Sequence, residues 1–292
     1  MHTIFLIGAT GKVGGAAARH LAQFEDIRVI AGLRCPEDTK GALPDTIERR
    51  YFDLDAVETM ALALRGVDAV LLLTGYTVDM MKQSKRVIDS AVAEGVRHIV
   101  HIGASSNSTT EVAHWGWHRM IEAYIAASGL SYTNLHPEAY MQNLTAFGWF
   151  DGRNLTNLIG DCRWSWVDAE DVGLLAAEAL RRPEDFAGQS WGLGYDTGTM
   201  RDVAELLTAH TGESVTLQSL DPKDFYDAAV AAGGDPAYLA CIRDQFQMNA
   251  AGEISDADAT FDASAFYQAT GRKPRMWDDY LNAAFAAKDK AA

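Results

Sequence analysis

An apolar run, Thr3-Ile4-Phe5-Leu6-Ile7, leads directly into Gly8-Ala9-Thr10-Gly11-Lys12-Val13-Gly14-Gly15 and then into an alanine-rich stretch. A strand that turns on glycine into a helix gathers backbone N–H groups and the positive end of the helix dipole at one point, which suits a pyrophosphate. Gly8 permits the sharp exit from the strand, and Gly11 lets the backbone approach the phosphates. Gly14 lets the helix, expected from about Lys12 to Phe24, pack closely on the sheet. Thr10, Lys12 and Val13 complete the loop and first turn that would face the anion. A second strand-like run, Ile27 to Leu33, follows after one helix length, so the glycines open a βαβ unit and predict a dinucleotide site.

Strand-like runs recur at residues 3–7, 27–33, 47–52, 68–73, 97–102 and 131–136, separated by helix-length segments. This alternation predicts an α/β chain with a Rossmann-type, doubly wound parallel sheet. After Pro137 the pattern loosens. Residues 138–166 are rich in aromatics and Asn, and residues 213–285 read as a short strand and several helices, with turns at Gly233-Gly234, Asp235-Pro236 and Gly271. The expected organisation is a nucleotide-binding core over 1–212, with a substrate-side excursion at about 138–166, and a smaller C-terminal α+β lobe over 213–292 that closes over it.

No run approaches the roughly 20 apolar residues of a membrane span, and the N-terminus enters a strand without a basic leader. A cytoplasmic protein without a membrane partner is expected. Cys35, Cys162 and Cys241 are isolated and match no metal or redox spacing, so they read as reduced thiols. The balance of 25 basic against 40 acidic residues, a net charge of −15, repels a phosphate backbone and argues against direct nucleic-acid binding. The sequence leaves room for a homodimer.

The second strand ends Gly32-Leu33-Arg34, whereas Asp26 precedes its apolar run and so lies at the wrong end. An Asp or Glu at the carboxyl end of that strand suits the ribose of NAD, and an Arg suits the 2′-phosphate of NADP. Arg34, helped by Lys12 or Lys40, therefore favours NADP(H) over NAD(H). Asp53 follows the third strand, Leu73-Thr74-Gly75 the fourth, and Gly103-Ala104 the fifth, all at strand ends where such a sheet binds its ligand. Asp53 could accept from the adenine amino group. Its competing role, which Asp55 shares, is to cap a helix starting near Ala56.

None of the eight lysines has a tyrosine four residues before it, so the Tyr-x-x-x-Lys acid/base pair is absent. In its place His114, His118 and Glu122 share one face of a helix expected to run to about Ala127. Trp115 follows His114 where H-E-x-x-H would have Glu, and no third ligand is evident, so no metal site is expected. His114 is the first candidate for general acid or carbonyl polariser, because imidazole titrates near neutral pH. His118, Tyr140 and Tyr76 follow it. The competing role of His118 is to orient Glu122. Trp115, Trp117, Tyr140, Trp149 and Phe150 serve equally as core or pocket wall, and Asp168 and Asp171 read as caps of the helix after them.

The G-x-x-G-x-x-G turn is similar to that of extended and atypical short-chain dehydrogenase/reductases. His118-x-x-x-Glu122, Ser128-Gly129-Leu130-Ser131-Tyr132-Thr133-Asn134-Leu135-His136-Pro137, Tyr140-Met141-Gln142-Asn143 and Trp166-Val167-Asp168-Ala169-Glu170-Asp171-Val172 together resemble the NmrA-like branch. His136 stands where that family carries Arg before the Pro, and His114 where the isoflavone-reductase branch carries Lys. The resemblance implies an NADPH-dependent reductase that passes hydride to a small hydrophobic, conjugated or aromatic acceptor: a quinone, enone, carbonyl or imine. The same family also contains regulators that sense NADP(H) without turnover and act through a protein partner, which is the rival reading. An epimerase or lyase is disfavoured by the missing Tyr-x-x-x-Lys pair.

Overall fold

The structure, a computed structural model, describes residues 1–39, 43–105, 109–254 and 261–286. Lys40 lies outside them. In chain order the first elements are β1 (His2–Ile7), α1 (Lys12–Leu21), β2 (Ile27–Leu33), β3 (Glu48–Tyr51), α2 (Val57–Leu64) and β4 (Ala69–Leu72). There follow α3 (Met80–Ala93), β5 (His98–Ile102), α4 (Ala113–Ala127), β6 (Ser131–Pro137), β7 (Ala139–Tyr140), α5 (Asn143–Ala146), β8 (Asn154–Asn157) and β9 (Trp164–Val167). Next come α6 (Ala169–Arg181), α7 (Pro183–Phe186), β10 (Gln189–Leu193), β11 (Asp196–Gly198), α8 (Met200–Thr211) and β12 (Thr216–Ser219). The last are α9 (Pro222–Ala231), α10 (Pro236–Ala250), α11 (Ala263–Thr270) and α12 (Trp277–Ala286).

The chain divides into two compact units that interleave in sequence. The first comprises Met1–Thr109, Trp115–His136 and Ala169–Trp191; the second comprises Thr110–His114, Pro137–Asp168 and Gly192–Ala292. This division differs from a cut at residue 212. Its physical reason is an aromatic core within the second unit, where Trp149, Trp164 and Trp166 cluster with Met200, Val203, Leu207, Phe246 and Trp277. Residues 137–168 and 192–212 thus bury their apolar side chains with the C-terminal helices.

The seven-stranded sheet runs β10-β6-β5-β4-β1-β2-β3. The pairs β1·β2, β1·β4, β2·β3, β4·β5 and β5·β6 are all parallel. This is the Rossmann-type doubly wound order, reversing direction between β1 and β4. β4 is buried along its whole length and β1 nearly so, as expected of central strands covered on both faces. On α1, Ala16, Ala17 and Ala18 are fully buried. A Cβ at Gly173 of α6 would lie 2.4 Å from the Ala16 Cβ and 2.7 Å from the Val13 carbonyl oxygen. The bare glycine therefore lets α6 meet α1 at backbone distance.

The second unit has a three-stranded sheet, β11-β9-β7, and a parallel pair, β12 with β8. Indole rings pack at a tilt in its core, with centroids 5.5 Å apart for Trp164 and Trp166 and 5.2 Å for Trp166 and Trp277. The short strands β7 to β11 were not foreseen as strands, because two to five residues are too few to show a period of two. No helix among the described residues is long and apolar enough to cross a membrane.

Candidate functional site

The glycine turn forms at the carboxyl end of β1. Gly8 takes φ +74°, a left-handed conformation that favours glycine. Its carbonyl accepts from the Gly11 N–H at 2.9 Å, and the Gly15 N–H donates to the Gly11 carbonyl at 2.8 Å to open α1. Gly11 occupies the N-cap in extended conformation, with no side-chain cap and no acidic residue in the first turn. No side-chain cap occupies this helix N-terminus, the end of a helix that favours an anion. A Cβ on Gly14 would lie 2.2 Å from the Gly8 oxygen, and one on Gly8 would lie 2.8 Å from Leu73 Cδ2. Gly8, Gly11, Gly14 and Leu73 are therefore brought together, with Thr10, Gly11 and Lys12 exposed and Val13 buried. α1 ends at Leu21 rather than Phe24, its last residues passing into a turn.

The other strand ends continue this edge of the first unit. Arg34 is exposed directly after β2, while Asp26 lies before that strand. Thr74 is half-buried, Gly75 and Tyr76 are exposed, Gly103 is buried and Ala104 half-buried. Asp53 Oδ1 accepts the Asp55 N–H at 2.9 Å, so its carboxylate shapes the loop after β3. α2 starts at Val57 with Ala56 as N-cap and no side-chain cap, so the capping role weighed for Asp53 and Asp55 does not materialise.

The histidine helix divides its residues. His118 Nδ1 lies 3.3 Å from His101 Nε2 on β5, and Glu122 Oε1 lies 2.7 Å from His136 Nε2 at the end of β6. His118 thus has a histidine of β5 as one of its partners. His101 and His136 were missed as functional candidates, since a helix-face argument does not see neighbouring strands. His114, in the first turn of α4, belongs to the second unit, where its ring lies 5.6 Å from that of Tyr238. It is 6% exposed, and burial pulls its pKa down to about 4 against the opposing hydrogen bond with Gln245. Tyr140, half-buried in β7, sits opposite Val167 of β9.

Asp168, expected as a cap, is buried and accepts from Gln142 Nε2 at 2.5 Å, with Arg275 Nε at 2.8 Å. Trp149 and Phe150 belong to the buried aromatic core of the second unit.

Known proteins extend this picture. An NAD(P)H azoreductase of Xenophilus azovorans is 27% identical over 185 residues, 62% of this chain and 64% of that protein, so the chain spans somewhat less than two thirds of its length. A (4-alkanoyl-5-oxo-2,5-dihydrofuran-3-yl)methyl phosphate reductase of Streptomyces griseus is 27% identical over 286 residues, 95% of this chain and 96% of that one. The crystal structure of an NADPH-dependent quinone oxidoreductase of Escherichia coli, complexed with NADPH, has the same fold: TM-score 0.80, 23% identity, 97% of this chain and 99% of that chain. The NmrA-like family model matches residues 1–281, and the chain belongs to that family.

Proposed function

We propose that the chain is an NADPH-dependent reductase that passes hydride to a small hydrophobic, conjugated or aromatic acceptor such as a quinone, enone, carbonyl or imine. The observation that carries this reading is the N-terminus of α1, without a side-chain cap and behind a left-handed Gly8, an arrangement that suits a pyrophosphate. The relatives named above act on small molecules of comparable kind. When bound, NADPH supplies the hydride, and the chain's own residues hold the cofactor and handle the proton.

On this reading Arg34, exposed directly after β2, receives the 2′-phosphate by charge-assisted hydrogen bonds. Arg34→Ala is expected to weaken NADPH binding about tenfold, roughly 1.4 kcal/mol, while leaving NADH binding unchanged. Calorimetric titration with both cofactors checks this, and equal losses would remove Arg34 from cofactor choice. His114 is neutral at pH 7, because its pKa lies at about 4, so it acts as a hydrogen-bond donor to an acceptor carbonyl rather than as an imidazolium acid. His114→Ala is expected to lower kcat about a hundredfold with little change in NADPH affinity, the low end of the usual acid–base contribution. Between about pH 6 and pH 8 the wild-type kcat shows no His114 ionisation.

The deciding experiment mixes the protein with NADPH and a panel of quinones, enones, aromatic ketones, imines and cationic dyes, and follows loss of the reduced-nicotinamide absorbance. Turnover with one acceptor class supports the reductase. Tight NADPH binding without turnover on any acceptor favours an NADP(H)-sensing regulator.

A further inference from the structure

Beneath the turn after β5 lies a cluster that the proposed reaction does not itself require. Three side chains press on the Cα of Gly103. A Cβ there would meet Glu122 Oε1 at 2.9 Å, His101 Cε1 at 3.3 Å and His136 Cδ2 at 3.3 Å. The Gly103 N–H donates to the Leu135 carbonyl at 2.8 Å, which ties the turn to β6 beside His136. The position of the turn and the state of these side chains are therefore mechanically one.

The charges facing the cluster come from three elements. β5 contributes His101, α4 contributes His118, Arg119 and Glu122, and β6 contributes His136. Glu122 is 8% exposed and His101 2%. Glu122 Oε1 has His136 Nε2 at 2.7 Å and His101 Nδ1 at 3.8 Å, while its Oε2 has Arg119 Nη1 at 3.6 Å. Arg119 is 42% exposed, so its charge reaches the carboxylate through solvent-screened space. A buried carboxylate is costly unless paired and hydrogen-bonded, and the short contact to His136 is the one that meets the need. That partner is an imidazole, so its charge depends on a proton.

At the other end the 3.3 Å contact of His118 Nδ1 and His101 Nε2 requires one donor and one acceptor. If His118 donates, His101 carries its hydrogen on Nδ1, a buried atom without a hydrogen bond that faces Glu122 at 3.8 Å. Burial, and then its neighbours His118 and His136, hold the His101 pKa well below that of a free imidazole. No group of three or more metal-ligating side chains among the described residues has a metal-binding arrangement.

We infer that His118, His101, Glu122 and His136 form one proton-sharing network that positions the Gly103-Ala104 turn and couples cofactor occupancy there to proton uptake. This rests on the reading of that turn as part of the NADP(H) site. Arg119 aside, the cluster carries one negative charge without the shared proton, under a loop that on this reading receives an anionic cofactor, and none with it. His136, Glu122 and His101 act as positioning residues.

The test uses the intact protein with His136→Arg and His136→Gln, one fixing the charge and the other removing it while keeping an N–H donor. From about pH 5.5 to about pH 8.5, the range in which histidine ordinarily titrates, wild-type NADPH affinity is expected to fall with rising pH, by at most about tenfold per pH unit, the slope of one proton. It should approach the His136→Arg value at low pH and the His136→Gln value at high pH, with both variants flatter than the wild type. Nitrogen-15 NMR of the imidazoles, recorded without cofactor, should show His101 responding to titration at His118 and His136, and Glu122→Gln should abolish that response. Parallel affinity profiles in all three proteins, or independent imidazole titrations, would overturn the network. NADPH failing to bind in every protein would instead tell against the cofactor site.

Discussion

Acidification from about pH 7 to about pH 4 is expected to remove about 6 kcal/mol of folding stability through two histidines alone, enough to unfold an ordinary domain. His98 and His114 are 1% and 6% exposed, and burial lowers the pKa of each to about 4. The folded values lie below the unfolded value of about 6.5, so between these limits the unfolded chain binds more protons. Stability is fully present above pH 6.5, is lost as pH falls, and levels off below pH 4, at about 3 kcal/mol for each residue. The partners of the His98 ring, Ser131 Oγ at 2.9 Å from Nδ1 and Thr133 Oγ1 at 3.2 Å from Nε2, are uncharged hydroxyls, which supply no countercharge for a buried imidazolium. Urea midpoints measured at half-unit steps of pH check the slope, and His98→Gln should make it shallower by up to one proton. A midpoint that stays constant from pH 7 to pH 4.5 would contradict the burial argument.

Gly14→Val is expected to cost about 2–3 kcal/mol of stability and to weaken NADPH binding by at least about a hundredfold. The new Cβ would stand 2.2 Å from the Gly8 oxygen, 2.6 Å from the Gly8 carbonyl carbon and 3.0 Å from the Ala9 nitrogen. All three atoms are backbone of the proposed pyrophosphate turn, so relief of the clash must move the turn itself. Gly11→Ala separates the two effects. Its Cβ would meet only the Gly8 oxygen, at 3.2 Å, which needs a shift of only a few tenths of an ångström, so a smaller stability loss is expected, yet the methyl stands on the turn proposed to receive the phosphates. Melting curves and calorimetric titration on both variants read the distinction. Wild-type NADPH affinity in Gly14→Val would refute the assignment of this turn.

The parts legible in the sequence are those governed by local chemistry. The apolar runs and the glycine turn specify β1, α1 and the 3-2-1-4-5-6 strand order, because alternation of strand and helix dictates a right-handed parallel sheet. The second unit was harder to foresee. Its strands are short, and what holds them is an aromatic core assembled from Trp149, Trp166 and Trp277, residues far apart in the chain. The candidate site divides in the same way. Arg34 and the glycines follow from position along one βαβ unit. The partners of Glu122 and His118 come instead from β5 and β6, and the ring beside His114 comes from Tyr238 on α10, where no periodicity points.

The interleaving of the two units has a consequence for biosynthesis. β1 and α1 are made well before α6, whose Gly173 seats on Ala16 and which follows only after the chain has passed through Pro137–Asp168 of the second unit. The alanine face of α1 must wait, uncovered, while more than half the chain is translated. Domains generally fold as units in order of synthesis, and exposed apolar surface on a waiting segment invites aggregation. The first unit is complete in sequence only at Trp191, so its closure waits until residues 137–168 of the second unit have been made.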